Sequence, residues 1–390
     1  MRAPEPPRSK RPLTLLMVAG EASGDSHGAE LIQALKEQQP HVRVIGVGGP
    51  RMASAGQEQL FDLAAHAVLG LTEVLKHYFK FRQLFYRVLD LAKRERPDAV
   101  ILIDYPGFNL RLAAKLRREL RGTRIIFYIS PQVWAWKAGR VTAMQRDIDL
   151  LLTILPFEKA WFARVAPKFN VQWVGHPLLD RIRKAEVVEP NSNSVALLPG
   201  SRKTEVEAHL PALWETARIM GRNNSGLKFT LLSPNEDIQR FALDMVAGFA
   251  APNFAFEYNI GYAITHLSRN ALAIVASGTA SLECALVGIP QVVIYRVHPI
   301  TFAVGRRLVK VKHLSIINVM AGETVVPEFL QENLDPTAVA QEALELLSNP
   351  SRRETMKKHV ADVVATLGGP GASKRAAEAI LFEAAFTQVR

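Results

Sequence analysis

The chain has 390 residues, of which 48% are hydrophobic and 22% are charged, and this balance is typical of a globular protein rather than a disordered or fibrous one. The length favours two domains of about 150–200 residues each, with a single large domain such as a barrel as the alternative. The formal net charge of +11 predicts attraction to polyanions, which include nucleic acid, anionic lipid and phosphorylated substrates.

The sequence lacks the features of several protein classes. It has no zinc-finger spacing, no aromatic RNA-binding signature and no long arginine run, so we expect no nucleic-acid partner. The single cysteine, Cys284, excludes an internal disulfide and a thiolate zinc site, and its apolar surroundings favour a packing residue over a nucleophile. Apolar stretches such as 99–103 and 150–155 are far shorter than the roughly 20 residues that cross a bilayer.

Short apolar runs rich in β-branched residues alternate with amphipathic helical stretches, which predicts parallel strands joined by crossover helices. In the first half of the chain, the predicted strands are 13–18, 42–47, 99–103, 124–128, 150–154 and 171–174. In the second half, they are 195–198, 229–232, 271–276 and 291–295. We therefore predict an α/β fold in which two doubly wound parallel sheets form two similar lobes.

A polar run, RIRKAEVVEPNSNS at 181–194, separates the two halves and has no apolar periodicity, so we place the domain boundary near Ala185. The predicted organisation is a flexible tail at 1–12, a first lobe at 13–184, a second lobe at 185–350, and C-terminal helices at 351–390 that pack back on the lobes.

In the first half, two strand ends carry polar residues. The first strand runs into AGEASGDSHGAEL at 19–31, where small residues let a ligand approach the backbone and the following helix start attracts anions; a tight turn capped by Ser23 or Asp25 is the alternative. The glycines do not have the dinucleotide-binding spacing. The strand 99–103 delivers Asp104, which is either a general base for a hydroxyl nucleophile or a cap of the next helix.

The segment ISPQVWAWKAGR at 129–140 places two tryptophans near Lys137 and Arg140. Exposed aromatic and basic residues together suit a sugar or phosphate contact. The alternative is that Trp134 and Trp136 pack in the core.

In the second half, a predicted strand leads into Pro199-Gly200-Ser201-Arg202, and the planar guanidinium of Arg202 suits a diphosphate. A later strand breaks at Ser277-Gly278-Thr279, and a helix begins at about Ala280, which predicts a phosphate seat at the helix start. Glu283 follows one turn later, where it could accept hydrogen bonds from ribose hydroxyls; an exposed first-turn carboxylate is the alternative.

The stretch 69–96 is basic, aromatic and amphipathic, so it could lie in the headgroup region of an anionic bilayer, or it could be a solvated helix face packed on the core. A second basic patch combines Arg306, Arg307, Lys310 and Lys312 with apolar neighbours. The residues expected to face the membrane are Leu71, Leu75, Tyr78, Phe79, Phe81 and Arg82.

Eight motifs taken in order carry a family resemblance: AGEASGD, IDYPGFN, PQVWAWK, LPFEKAWF, VGHPLLD, LLPGSRKTEV, SGTASLE and NVMAGETVVPEFLQ. Together they resemble the lipid-A-disaccharide synthase family over nearly the whole chain. The resemblance implies a glycosyltransferase of the GT-B type, with two Rossmann-like lobes and a cleft between them, that uses neither a metal nor a cofactor.

The resemblance also implies a reaction. The family moves 2,3-diacylglucosamine from UDP-2,3-diacylglucosamine to 2,3-diacylglucosamine 1-phosphate (lipid X), and forms a β-1,6-linked disaccharide with inversion and release of UDP. We therefore expect a cytoplasmic enzyme, peripherally associated with the anionic inner-membrane surface, and leave a homodimer open. The alternatives are a UDP-sugar epimerase of similar fold and a non-enzymatic peripheral lipid-binding protein.

Site residues follow from the resemblance by motif. Asp104 is implied as the base for the acceptor 6-hydroxyl, and Gly107 stands where many relatives have a second aspartate. His27, in a pair that departs from the family pattern, is either a contact for the acceptor phosphate or a surface helix residue. The acceptor-side loop candidates are Glu21, Ser23, Asp25 and His27. The donor-side candidates are Ser201, Arg202, Ser277, Gly278, Thr279, Ala280, Glu283 and Asn318.

Overall fold

The computed structural model describes residues 12–62, 74–120, 122–182, 191–252, 254–261, 264–297, 302 and 312–388. The chain divides into two compact units. The first unit comprises Met1–Val133, Ala138–Pro177 and Gly371–Arg390, and the second comprises Trp134–Lys137 and Leu178–Pro370. The division thus falls earlier than the predicted boundary at Ala185, which lies outside the described residues, as does the tail at 1–11.

The first unit contains a seven-stranded parallel sheet in the order β3-β2-β1-β4-β5-β6-β7. Its strands are β1 (Thr14–Ala19), β2 (Arg43–Gly48), β3 (Glu58–Asp62), β4 (Ala99–Ile103), β5 (Arg124–Tyr128), β6 (Leu150–Thr153) and β7 (Val171–Trp173). Every residue of β1 and β4 is buried because helices cover both faces of the sheet.

The second unit contains a six-stranded parallel sheet in the order β10-β9-β8-β11-β12-β13. Its strands are β8 (Asn191–Leu198), β9 (Lys228–Ser233), β10 (Ala255–Ile260), β11 (Asn270–Ala276), β12 (Gln291–Tyr295) and β13 (Glu328–Leu330). In each sheet, the first strand of the chain is an inner strand. The next two strands are added on one side of it, and the remaining strands are added on its other side. This order is that of the Rossmann fold, and it reverses between β1 and β4 and between β8 and β11.

The helices alternate with the strands along the chain. They are α1 (Ala22–Gln38), α2 (Pro50–Ser54), α3 (Val74–Glu95), α4 (Pro106–Glu119), α5 (Val133–Trp136), α6 (Val141–Asp147), α7 (Pro156–Val165), α8 (Leu178–Ile182), α9 (Lys203–Asn223), α10 (Glu236–Ala247), α11 (Ile264–Ser268), α12 (Thr279–Val287), α13 (Ile316–Ala321), α14 (Pro336–Ser348), α15 (Pro350–Ala365) and α16 (Ala372–Gln388). None of the helices in the described ranges is long and apolar enough to cross a membrane.

Two apolar clusters form the core of the first unit, one on each face of its sheet. Leu16 and Val18 of β1 point to the cluster that receives α3 and α4, whereas Leu15 and Met17 point to the cluster that receives α1. The C-terminal helix α16 completes the second cluster with Ala376, Ala377, Ile380 and Ala384. The C-terminal segment from Gly371 therefore belongs to the first unit, while α15 stays with the second.

All ten predicted strands are present, with ends shifted by up to four residues, but β3, β10 and β13 were not predicted. Each of these three lies at an edge of its sheet. An edge strand has a neighbour on one side only and is covered less completely, so its sequence needs no continuous apolar run. In β10, for example, every residue is exposed or half-buried, and none is buried.

A single methyl group at Gly46 should disturb the centre of the first sheet. Gly46 has φ of 142°, and a Cβ built there would lie 2.0 Å from the carbonyl oxygen of Met17 on the adjacent strand. We expect Gly46→Ala to lower the free energy of unfolding by about 2 kcal/mol or more, because neither backbone can move aside. The urea midpoint measures this change.

The matched control is Gly139→Ala, since a Cβ at Gly139 meets no atom within 4 Å. It should leave the urea midpoint nearly unchanged. Equal midpoints for the two variants would contradict the close approach of β1 and β2 at Gly46.

Candidate functional site

Most candidate residues of each unit follow the two strands at which its strand order reverses. In the first unit, one group lies in the loop after β1 and in α1. Asp25 is buried there in α1, and its carboxylate accepts hydrogen bonds from the backbone N–H groups of Gly49 (2.8 Å), Arg51 (3.1 Å) and Met52 (2.9 Å). Asp25 thus holds the start of α2 and not the start of its own helix. Its carboxylate is committed to the fold, which favours a positioning role over a substrate contact.

The other candidates of this loop differ in exposure. Ser23 is exposed, and Glu21 is half-buried at the N-terminal end of α1. His27 is buried, so the expectation of a surface helix histidine is wrong. Its Nδ1 lies 3.9 Å from a carboxylate oxygen of Glu30 and has no hydrogen-bond partner among the described residues.

The end of β4 brings together backbone strain and a carboxylate. Asp104 and Tyr105 both have φ of 47°, and Ile129, at the end of neighbouring β5, has φ of 67°. A residue with a side chain pays of order 1 kcal/mol or more for this left-handed conformation, and such residues concentrate at functional sites. Asp104 is half-buried and lies one residue before Tyr105, the N-cap of α4.

Neighbouring groups hold this strained turn in place. The backbone N–H of Asp104 donates to the carbonyl of Tyr128 at 2.9 Å. The fully buried side-chain amide of Asn109 donates to the carbonyls of Ile103 (3.1 Å) and Asp104 (2.8 Å). The local motif IDYPGFN contains Asn109, but its role as a clamp was not predicted from the sequence.

Tyr105 also explains why the loop after β1 needs a glycine. A Cβ at Gly20 would lie only 2.4 Å from the Tyr105 ring. The same ring stacks on Phe108 with a centroid distance of 6.2 Å. The ends of β1 and β4 are therefore packed against each other through Gly20 and Tyr105.

The two tryptophans of the segment 129–140 differ. Trp136 is 43% exposed, and the Lys137 ammonium lies 3.8 Å from its ring centroid. Trp136 is therefore not a core residue. Trp134 is half-buried. Both tryptophans belong to the second unit, although the residues on either side of 134–137 belong to the first.

In the second unit, the loop after β8 is a rigid turn with an exposed cation. Gly200 has φ of 128°, and a Cβ there would collide with Glu205 at 2.6 Å. The Glu205 carboxylate accepts from the backbone N–H groups of Ser201 (2.8 Å) and Arg202 (3.3 Å). The Arg202 guanidinium, 3.4 Å from the same carboxylate, is 60% exposed and can reach an anion.

The loop after β11 leads into α12. Gly278 and Thr279 are exposed, and no atom lies within 4 Å of a Cβ built at Gly278, so a ligand can approach the backbone there. The Ser277 hydroxyl donates to the Leu314 carbonyl at 3.1 Å, which fixes this turn. Ala280 is buried in the first turn of the helix. The arrangement suits a phosphate at the start of α12.

Glu283 lies one turn further along α12. Its Oε2 is buried and has no hydrogen-bond partner among the described residues, so the exposed-carboxylate interpretation is wrong. Burial raises the pKa of Glu283 to about 7, and the positive charge of Arg181 opposes this shift. A buried carboxyl that titrates near neutrality can donate or accept a hydrogen bond when a ligand arrives.

The side chain of Asn318, a predicted donor-side residue, is engaged by its own chain. Its side-chain Nδ2 donates to the carbonyl of Val326 (2.8 Å) and to Glu328 (2.7 Å), and its Oδ1 accepts from the N–H groups of Val325 (2.8 Å) and Val326 (2.9 Å). Glu328 in turn accepts from Ser315 N–H at 2.8 Å. Every polar atom of the fully buried Asn318 side chain is thus used by the chain itself, which favours positioning over nucleotide contact.

The remaining reactive groups are the single cysteine and the possible metal ligands. Cys284 is fully buried, and burial raises the pKa of its thiol well above the usual range, as expected for a packing residue. Within the described ranges, no cluster of three or more His, Cys, Asp and Glu residues could hold a metal ion. The motifs LLPGSRKTEV and NVMAGETVVPEFLQ contain Glu205 and Glu328, but their hydrogen bonds to the donor-side loops were not predicted, and the buried His209 lies in no quoted motif.

The proposed membrane-facing surface is only partly described. Leu71 lies outside the described residues, as do the side chains of Leu75, Tyr78, Phe79 and Phe81 and the residues Arg306, Arg307 and Lys310. Arg82 is exposed on α3, with its guanidinium 5.9 Å from the ring centroid of the exposed Tyr86. From Leu84 onward, the apolar side of α3 packs on the sheet.

The chain matches a family model described as Lipid-A-disaccharide synthetase over residues 15–381. It is 38% identical over 381 residues to the lipid-A-disaccharide synthase of Trichlorobacter lovleyi, covering 95% of this chain and 97% of that protein.

Solved structures with the same fold include two enzyme classes. The UDP-GlcNAc 2-epimerase of Neisseria meningitidis bound to UDP-GlcNAc has a TM-score of 0.62 at 12% identity, covering 95% of this chain and 99% of that one. A calicheamicin glycosyltransferase has a TM-score of 0.57 at 14% identity, covering 96% and 98%. At such low identity these matches establish the fold alone. They confirm the predicted α/β fold of two Rossmann-like lobes, the GT-B type.

The buried carboxyl of Glu283 should make stability depend on pH. Its folded-state pKa of about 7 exceeds the ordinary 4.5, so the folded protein keeps a proton that the unfolded chain releases between these values. Wild-type stability therefore falls as the pH rises through this window. Glu283→Gln has no such proton. The free energy of unfolding of this variant minus that of the wild type should therefore increase by up to about 3 kcal/mol from about pH 5 to about pH 8.

Urea titration of both proteins at the two pH values measures the gain. The control is Glu207→Gln, which alters an exposed carboxylate on α9 and should show no such trend. A difference between Glu283→Gln and the wild type that stays constant with pH would show that Glu283 titrates normally.

Proposed function

Because the chain belongs to the lipid-A-disaccharide synthase family, we propose that it transfers 2,3-diacylglucosamine from UDP-2,3-diacylglucosamine to 2,3-diacylglucosamine 1-phosphate. The products are the β-1,6-linked disaccharide 1-phosphate and UDP. The observation that carries the proposal most strongly is the pair of polar loop clusters at the two strand-order reversals, because ligands of open parallel sheets bind there.

The second unit supplies the donor site in this proposal. The start of α12 and the exposed Arg202 guanidinium bind the diphosphate, and Glu283 receives the ribose hydroxyls. The positive charge and the helix start stabilise the negative charge that develops as UDP departs. Ser277, Asn318 and Glu205 hold the loops of this site in place through hydrogen bonds within the second unit.

The first unit supplies the acceptor side. Asp104 takes the proton of the acceptor 6-hydroxyl while that oxygen bonds to the anomeric carbon of the donor and the bond to UDP breaks. One displacement of this kind inverts the anomeric configuration and needs no covalent intermediate. Asp104 suits this role because it is half-buried and held in a strained turn, which limits the positions its carboxylate can take.

Both sugars carry acyl chains, so the enzyme should work where such lipids reside, at the cytoplasmic face of the inner membrane. The net charge of +11 and the exposed Arg82 and Tyr86 of α3 support binding to an anionic lipid surface. An epimerase shares the fold, but the family match and the 38% identity to a named disaccharide synthase favour the transferase.

We expect Asp104→Asn to lower kcat about 100- to 10,000-fold, because an amide cannot accept the hydroxyl proton. The affinity for UDP should stay within about twofold of the wild type, since the donor site lies on other residues. Radiolabelled disaccharide formation and UDP calorimetry measure the two quantities. Asp90→Asn, at an exposed position of α3, is the matched control; wild-type turnover by Asp104→Asn would remove the assignment.

The overall activity is tested with purified protein, UDP-2,3-diacylglucosamine, 2,3-diacylglucosamine 1-phosphate, detergent and EDTA. Disaccharide and UDP in equal amounts, undiminished by the chelator, are the expected result for metal-independent transfer. UDP binding without disaccharide formation would favour the epimerase, and loss of product on chelation would contradict metal independence.

A further inference from the structure

His209 lies on α9 and is fully buried, yet both of its ring nitrogens have partners. Its Nε2 accepts a hydrogen bond from the backbone N–H of Arg296 at 2.9 Å. A backbone N–H can only donate, so Nε2 carries no proton, and Nδ1 must donate to the carbonyl of Pro199 at 2.7 Å. His209 is therefore a neutral histidine in a single tautomer, and burial accordingly lowers its pKa.

On one side, this ring supports the loop that bears Arg202. Pro199 directly precedes Gly200, Ser201 and Arg202, and its carbonyl is the group that His209 holds. Glu205 lies four residues before His209, on the same face of α9, and accepts from the N–H groups of Ser201 and Arg202. Two successive turns of one helix thus fix both the carbonyl and the N–H groups of this loop.

On the other side, the ring reaches the end of β12. Arg296 follows this strand, and its guanidinium donates to the carbonyls of Leu334 (2.8 Å) and Gln331 (3.3 Å), just after β13. Gln331 itself has φ of 51°. Through one buried imidazole, the end of β8 is tied to the ends of β12 and β13.

We propose that His209 is a positioning residue for the diphosphate of the donor. It does not touch the ligand; it sets the position of the Ser201 hydroxyl and the Arg202 guanidinium by holding the carbonyl of Pro199. The inference rests on the proposed nucleoside-diphosphate site. The groups that His209 positions bind phosphate and not the nucleoside, so its removal should weaken the phosphate-dependent part of binding specifically.

The test compares the affinities of the full-length protein for UDP and for uridine by calorimetry. Two variants each preserve one of the two hydrogen bonds. In His209→Asn, the side-chain NH₂ can replace Nδ1 and donate to the carbonyl of Pro199. In His209→Gln, the side-chain carbonyl can replace Nε2 and accept from the N–H of Arg296. We expect the preference for UDP over uridine to fall about tenfold or more in His209→Gln, and no more than about threefold in His209→Asn. Uridine affinity should hardly change in either.

A control for simple loss of packing is Trp214→Phe, at a buried position on the same helix whose ring packs against Phe254 and Phe256. It should lower the urea midpoint and leave the UDP-to-uridine ratio intact. An unchanged ratio in both histidine variants, or an equal fall in UDP and uridine affinities, overturns the positioning role. A wild-type protein that binds UDP no better than uridine would instead refute the proposed donor site, and the inference with it.

Discussion

Both polar loop clusters depend on the order of strands in a parallel sheet. Each sheet starts from an inner strand, β1 or β8, extends to one side, and then continues on the other side with β4 or β11. The connections after these central strands leave on opposite faces, so the backbone groups at their carboxyl ends stay accessible. Asp104 and Arg202 can lie there because the strand segments that precede them are buried: all of β4, and β8 from Ser194 onward.

The loops at these points are held by buried polar side chains. Asn109 fixes the strained turn at Asp104, Glu205 and His209 fix the turn before Arg202, and Glu328 fixes the segment around Asn318. Such groups are costly to bury unless they are hydrogen-bonded, and here most of their donors and acceptors are paired with backbone groups. The candidate ligand-binding groups are consequently held in place before any ligand arrives, which lowers the entropy lost on binding.

The second unit holds its two charged candidate residues in different ways. Arg202 is exposed and partly balanced by Glu205, so its charge can be redirected to an incoming diphosphate at little desolvation cost. Glu283 is half-buried as a residue, but its Oε2 is buried and has no hydrogen-bond partner in the described part of the chain, and desolvation raises the pKa of the carboxyl to about 7. In the proposed function, hydrogen bonds from the ribose would satisfy this oxygen. Binding would then recover free energy that the empty site lacks.

The amino-acid sequence by itself determined the α/β class, ten of the strands and the loops at their ends. Central strands such as β1 and β4 are recognisable because a parallel strand covered on both faces must be a continuous apolar run. The edge strands β3, β10 and β13 required the structure, since partial cover imposes no such run. Only the tertiary structure decided which polar residues are anchors. Asp25 accepts hydrogen bonds from the start of α2, and His209 accepts one from Arg296, 87 positions later in the chain. Contacts between residues so far apart in sequence leave no local pattern.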